Sequence, residues 1–236
     1  MTGVQTCALP ICSTASTIAA SKTLTFDVNG EGSFVISDAV DLVVNDGSVL
    51  AFTGDMDVTI GASEATSLQM LTATTGDGGD FDASGLSGDL ILHIQDTTAV
   101  DDDEADILLG TGESTVTIYG GGTSGARVVD DGFFIFKFDT DGIANTNITG
   151  LLSTTGTGEN NDVLSFAGYE FGTADEIVSI SGTKSVVENG DDEQILQITD
   201  VGSSLEITSL TGAFDGVITL SDHTSVADLT IANFDF

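Results

Sequence analysis

Leu109-Gly110-Thr111-Gly112-Glu113-Ser114-Thr115-Val116-Thr117-Ile118-Tyr119 holds the pattern that the rest of the chain repeats loosely. A Gly-x-Gly core leads into polar and acidic residues. A short run then follows in which Val116 and Ile118 alternate with Thr115, Thr117 and Tyr119. Period-two alternation belongs to a half-buried strand, with one face on a core and the other towards water. Glycine with small polar residues in front of it is turn chemistry.

Working outward, Thr75-Gly76-Asp77-Gly78 and Thr155-Gly156-Thr157-Gly158 share the Gly-x-Gly core, and each precedes a β-rich run. Comparable runs stand at Leu24–Val28, Leu42–Val44, Val58–Ile60, Leu90–Ile94, Val163–Phe166, Ile177–Ile180, Ile195–Ile198 and Val217–Leu220. Strands returning at roughly ten-residue spacing fit sandwiches, barrels and solenoids. Only Glu64–Leu71 and Ala99–Asp106 have the composition for a helical turn or two. The single proline is Pro10, so the strand-bearing chain has none. Coils stacked through continuous ladders have little place for a residue without an N–H. The expectation is an all-β parallel β-solenoid or β-roll, with an antiparallel β-sandwich as the alternative. It forms one unit over residues 13–236, with a soft boundary near residues 97–106.

Met1–Ile11 (MTGVQTCALPI) resembles the conceptual translation of a common DNA-sequencing adapter, and Cys12 satisfies the base left over in that frame. Residues 1–12 are therefore expected to be an unstructured artefact. Both cysteines, Cys7 and Cys12, and Pro10 fall inside them. On this reading the chain is a fragment lacking its true N terminus, and no signal peptide is to be sought in it.

The 236 residues carry 38 acidic and 4 basic side chains, a net charge of −34. Too few Lys and Arg are present to neutralise phosphates, which argues against nucleic-acid binding. The same charge is repelled by anionic lipid, and no apolar run approaches the length of a membrane span, so membrane insertion is not expected. Apolar residues make up 40%, enough for a buried core.

Of the acidic residues, 28 are Asp and 10 are Glu. A generally solubilising surface uses Glu freely. Asp beside Gly in turns bonds the local backbone, or places oxygens around a hard cation where glycine permits the bend. The candidate calcium ligands are Asp77, Asp80 and Asp82; Asp101, Asp103 and Asp106; Asp139 and Asp141; and Asn160 and Asp162. Asp130/Asp131 and Asp191/Asp192/Glu193 form further clusters. With four basic residues in the chain, divalent cations are the obvious neutralising partner. Thr75–Phe81 matches the calcium β-roll pattern Gly-Gly-x-Gly-x-Asp with Thr75 in the first glycine position.

Gly76–Asp80, Asp82–Leu92 (DASGLSGDLIL), Ala105–Tyr119 (ADILLGTGESTVTIY) and Glu159–Phe166 (ENNDVLSF) resemble bacterial surface-layer proteins. They also resemble the related repeats-in-toxin proteins exported by type I systems. The resemblance implies parallel β-rolls that fold on calcium outside the cell. Ser114 stands where that pattern carries an Asp. Asp228–Phe236 (DLTIANFDF) resembles the tails of type I secretion substrates, ending on an acidic residue and an aromatic.

Catalytic constellations are nearly absent. His93 lies in an apolar strand and His223 in a turn, and neither G-x-S-x-G nor H-E-x-x-H occurs. An enzyme is not expected. Phe133–Phe138 (FFIFKF) is the most apolar run and reads as a core strand buried on both sides, with Lys137 snorkelling outward. The expected function is a structural extracellular or cell-surface protein, surface-layer or adhesin-like. It is stabilised by calcium and partnered by itself or by other surface components. The alternatives are a glycan- or surface-binding module of a larger secreted protein, whose groove would use Tyr119, Tyr169 or Phe residues, and a viral fibre or tail component.

Overall fold

The computed structural model describes residues 16–39, 42–45, 47–71, 78–96, 104–120, 133–138, 143–153 and 161–236. Its regular elements there are strands and four single 3₁₀ turns. The strands, in chain order, are β1 (Ser16–Ile18), β2 (Thr23–Val28), β3 (Ser33–Ile36), β4 (Leu42–Val44), β5 (Val49–Gly54), β6 (Asp57–Ile60) and β7 (Leu68–Leu71). There follow β8 (Asp80–Leu86), β9 (Leu90–Asp96), β10 (Glu104–Leu109), β11 (Ser114–Tyr119), β12 (Phe133–Phe138), β13 (Thr146–Thr149) and β14 (Val163–Ser165). The last are β15 (Ala174–Ser181), β16 (Lys184–Asn189), β17 (Gln194–Asp200), β18 (Leu205–Ser209), β19 (Ile218–Leu220) and β20 (Phe234–Asp235).

These strands wind as a parallel β-solenoid, the expected fold. One sheet stacks β2-β5-β8-β10-β12-β14-β20, and every pair in it is parallel. The other alternates with it along the chain and runs β1-β4-β7-β9-β11-β13-β19, with β3 and β6 stacked beside it against the first half of β9. Two short strands per coil thus merge into the single longer β9. The core lies between the sheets. Inward residues are fully buried, such as Phe52, Phe81, Ile107 and Phe136 from one sheet and Ile60, Leu92, Val116 and Ile148 from the other.

Close stacking needs glycine at the corners. A Cβ on Gly88 would lie 2.2 Å from the Met56 carbonyl oxygen, and one on Gly112 would lie 2.0 Å from that of Gly88. The Gly-x-Gly core of the opening stretch is therefore a stacking device, since any side chain there would push successive coils apart.

Three expectations are corrected. After β14 the chain leaves the solenoid, and β15, β16, β17 and β18 run antiparallel before β19 returns to the parallel stack. These strands carry the same β-rich composition as solenoid strands but alternate less cleanly, β15 having no buried residue where β10 and β12 alternate buried and half-buried ones, and their sequence does not state the direction of pairing. Of Glu64–Leu71, only Glu64–Thr66 makes a 3₁₀ turn, because Leu68 and Met70 are drawn into the core as strand residues. Likewise Glu104–Asp106 belongs to β10. Finally, β12 is buried on one face only. Phe134, Phe136 and Phe138 fill the core, while Phe133, Ile135 and Lys137 are half-buried on the outside.

Candidate functional site

The strongest pattern of ionisable groups is a column at the corner leading into the second sheet. Asp57, Asp89, Glu113 and Asn145 stand immediately before β6, β9, β11 and β13 or at their first residue, all of them exposed. Asp57 Oδ1 accepts the Asp89 N–H at 3.1 Å, and Asp89 Oδ1 accepts the Glu113 N–H at 3.0 Å. Glu113 Oε1 accepts from Asn145 Nδ2 at 3.1 Å, and Asn145 Oδ1 accepts the Val217 N–H at 3.3 Å. Backbone bonds run in parallel, from the Val58 N–H to the Asp89 carbonyl and from the Leu90 N–H to the Glu113 carbonyl. Three coils thus satisfy a donor of the next with an acidic side chain, and the last does so with the amide of Asn145.

The same stacking sets three carboxylates one coil apart, roughly the 4.8 Å of neighbouring strands. In water each neighbouring pair costs just under ~1 kcal/mol, and the neutral Asn145 ends the column. Asp57, Asp89 and Glu113 were not among the ligands read from sequence. The signal that could have found them is an acid placed directly after glycine and before a strand, as in Gly88-Asp89-Leu90 and Gly112-Glu113-Ser114.

Of the residues that were predicted, Asp80, Asp82 and Asp106 come together on the outer face of β8 and β10. Asp80 Oδ1 accepts the Asp106 N–H at 3.1 Å. Asp82 Oδ1 accepts from the Ser84 N–H at 2.9 Å and the Ser84 hydroxyl at 2.6 Å. Asp106 pairs with Lys137 on β12 through Oδ2, and its Oδ1 is buried with no hydrogen-bond partner among the described residues. Asp162 sits apart, fully buried, with Oδ1 accepting the Phe134 N–H at 2.8 Å and Oδ2 the Leu152 N–H at 2.7 Å. Asp77, Asp101, Asp103, Asp139, Asp141 and Asn160 lie outside the described residues. Among the described residues no three His, Cys, Asp or Glu side chains converge on a common point as a preformed metal cage requires. Asp191 and Glu193 form a hairpin turn whose N–H groups both bond Asn189 Oδ1. Ser114 is buried, so the position admits a small hydroxyl and not a carboxylate.

A second surface differs sharply from these. On the outer face of β6, β9, β11, β13 and β19, pairing aligns Thr59, Ile91, Thr115, Asn147 and Thr219 in one column. His93, Thr117 and Thr149 form the next. In a chain of charge −34 these eight side chains carry no formal charge when His93 is neutral. The hydroxyls of Thr59, Thr115, Thr117, Thr149 and Thr219 make no hydrogen bond among the described residues.

At one border of this face His93 Nδ1 meets the Tyr119 hydroxyl at 3.0 Å, with the rings stacked at 6.0 Å. Burial lowers the His93 pKa below its ordinary value, favouring the neutral ring. Burial, and then the Glu64 carboxylate, raise that of Tyr119. Tyr169 does not share this face. It stacks on Phe171 and edges Phe214 in the aromatic cluster at the end of the core.

The remaining histidine is structural. His223 is buried, and its Nδ1 lies 3.1 Å from Asp222 Oδ1, while Asp222 Oδ2 accepts the Gly150 N–H at 2.8 Å. Burial is the largest single influence on Asp222 and raises its pKa. The hydrogen bond and charge of His223 and the backbone donors outweigh it, so the carboxyl titrates below its ordinary value.

Comparison of the chain with protein-family models, with curated proteins and with solved structures gives no match. Among the described residues no helix is long and apolar enough to cross a membrane.

Proposed function

We propose that the chain is a structural, non-catalytic piece of an extracellular surface protein, surface-layer or adhesin-like, whose folded state is stabilised by calcium. The observation that carries this reading is the Asp57–Asp89–Glu113 column. The solenoid stacks like charges at strand spacing, and the chain has four basic residues with which to offset 38 acids. Asp80, Asp82 and Asp106 add three more carboxylates on the outer face, where Asp106 pairs with Lys137. Asp77, Asp101, Asp103, Asp139, Asp141 and Asn160 complete the proposed ligand set, whereas Asp162, expected from sequence to be a ligand, is excluded from it because it is fully buried with both oxygens already accepting backbone N–H groups.

The mechanism is electrostatic. Where calcium is scarce the carboxylates repel and the chain stays open. Outside the cell, millimolar calcium fills sites with dissociation constants of about 10⁻⁴–10⁻³ M, and binding to the folded state alone stabilises it. Equilibrium calcium binding tests this, with saturable uptake expected in that range. Uptake no greater than that of a globular protein of similar charge without Gly-Asp turns contradicts it.

A second reading, a glycan- or surface-binding module, is favoured by the uncharged Thr-rich face with His93 and Tyr119 at its border. Such a face meets an uncharged, hydroxyl-bearing partner without the repulsion the rest of the surface carries. Retention on insoluble polysaccharides that is lost in Thr115→Lys/Thr117→Lys supports it.

A further inference from the structure

β15, β16 and β17 form an antiparallel ladder with two unlike faces. Pairing sets Ser179 opposite Ser185 and Ser185 opposite Ile198, so these three share a face. Ile177, Val187 and Asp200 fall on the same face by alternation. Val187, Leu196 and Ile198 carry it into the core. Towards Ser181 and Lys184 it leaves the core, and the 3₁₀ turn Val226–Asp228 stands across from it. A cleft of about 400 Å³ lies between them, inside the range of roughly 300–1,000 Å³ usual for small-molecule sites.

Ser185 gives this cleft its chemistry. The residue is 5% exposed, yet its hydroxyl makes no hydrogen bond among the described residues. Its place on the inner face turns that hydroxyl to the cleft. A buried polar group left unpaired is unfavourable, so native structures give it a partner in protein, water or ligand. The groups around it are half used. The Ser181 hydroxyl has no partner among the described residues. Ser225 Oγ accepts the Ala227 N–H at 3.2 Å and keeps its own proton to donate. Asp200 Oδ1 accepts the Gly202 N–H at 2.7 Å, which leaves Oδ2 to accept. Ile177, Val226 and Leu229 supply an apolar wall.

Charge narrows the ligand. Asp200 and Lys184 cancel formally at the cleft, and the chain as a whole repels anions with its net charge of −34. A hard cation needs several oxygen ligands, and a single carboxylate lines this cleft. Free hydroxyl donors and one free carboxylate acceptor beside an apolar wall match a pyranose ring, which carries hydroxyls at its rim and C–H groups on its faces. Without an aromatic platform among its described residues the cleft is expected to bind only in the millimolar range.

We propose that this cleft binds one uncharged hexose unit, with the Ser181, Ser185 and Ser225 hydroxyls donating and Asp200 Oδ2 accepting. The site goes beyond both readings of the function above, since it uses neither the calcium ligands nor the Thr-rich face.

The test is a backbone-amide nuclear magnetic resonance titration of the whole chain in millimolar calcium. The probes are glucose, galactose, mannose and their methyl glycosides, with sodium acetate as the charged comparison. Saturable shifts are expected with at least one hexose, centred on Ser179, Ser185 and Ala227. A methyl glycoside that binds as well as the free sugar marks a glycan terminus as the source, and one that does not bind marks free sugar; both uphold the site. Ser185→Ala is expected to weaken binding about three- to ten-fold and to leave the melting temperature unchanged or higher, because no protein partner is lost. Asp200→Asn keeps an oxygen for the Gly202 N–H and is expected to weaken binding several-fold. Thr208→Ala, on the opposite face of the sheet, should leave binding unchanged. None of these variants touches Thr115, Thr117 or a proposed calcium ligand, so failure here and failure of either reading of the function are separate results. The absence of saturable shifts there with every hexose means water alone fills the cleft and overturns the proposal. So does binding that ignores Ser185→Ala, or acetate moving the same amides as strongly, which would make this an anion site at Lys184.

Discussion

Gly112 sits so close to Gly88 on the neighbouring coil that a Cβ added to it would lie 2.0 Å from the Gly88 carbonyl oxygen. The obstacle is backbone and cannot swing away, so the coils must separate. Gly112→Ala is expected to destabilise by about 1–3 kcal/mol, as overpacking does. Gly182, with nothing within 4 Å of its Cβ position, is the control. Gly182→Ala should change stability by no more than about 0.5 kcal/mol. Urea unfolding of both variants measures the contrast. Equal effects would sink the stacking explanation of the Gly-x-Gly pattern.

The acidic column separates hydrogen bonding from charge. Asp89 accepts the Glu113 N–H while standing between two like charges. Asp89→Ala leaves that N–H to water and is expected to cost about 1 kcal/mol. Asp89→Asn keeps an acceptor oxygen and removes a charge. In chelator at low salt it is expected to match or exceed the parent stability, with the advantage shrinking as salt rises. Chemical denaturation at two ionic strengths reads both effects.

Asp162 bonds two backbone donors, that of buried Phe134 and that of half-buried Leu152. Asn233, also fully buried, donates to the Asp162 and Leu152 carbonyl oxygens. Asp162→Ala orphans both N–H groups and is expected to cost about 2–5 kcal/mol. Its melting temperature should fall well below that of Asp228→Ala, whose carboxylate accepts the Thr224 and Ser225 N–H groups in an exposed turn.

Two groups give pH dependence of the same sign. Asp222 titrates below its ordinary 3.8 when folded. Its contribution is present above that value and is lost as pH falls through the folded pKa. His93 also titrates below its ordinary 6.5 when folded. The unfolded chain then binds the proton first, so stability is full above pH 6.5 and declines as pH falls below it. Nuclear magnetic resonance titration of the His93 ring should place its midpoint below 6.5. A midpoint above 6.5 would reverse the sign.

The strands were legible in sequence because the solenoid obeys the period-two rule almost everywhere. The runs at Leu24–Val28, Leu90–Ile94 and Thr115–Tyr119 fall within strands, and Val217–Leu220 holds β19 at Ile218–Leu220. The direction of pairing was not legible. Ile177–Ile180 and Ile195–Ile198 read as β-rich runs like the others, and strand composition alone does not state whether the partner runs parallel or antiparallel. The acidic column stayed hidden for a related reason. Asp57, Asp89 and Glu113 lie 24 to 32 residues apart, and only the length of each coil brings them into line. Asp80, Asp82 and Asp106 were read as acids near turns. Their place on strand faces, with Lys137 across the ladder, depends on the register of β8, β10 and β12.

Calcium-dependent folding is tested most directly by thermal melts followed by circular dichroism in chelator, in millimolar magnesium and in millimolar calcium. Calcium is expected to increase the β signal and raise the melting temperature, with magnesium doing markedly less because it dehydrates reluctantly and demands a stricter geometry. At a calcium concentration 100 times the dissociation constant, the gain at a single site is about 2.7 kcal/mol. Identical spectra and melts in chelator and in calcium would contradict the proposal that calcium stabilises the fold.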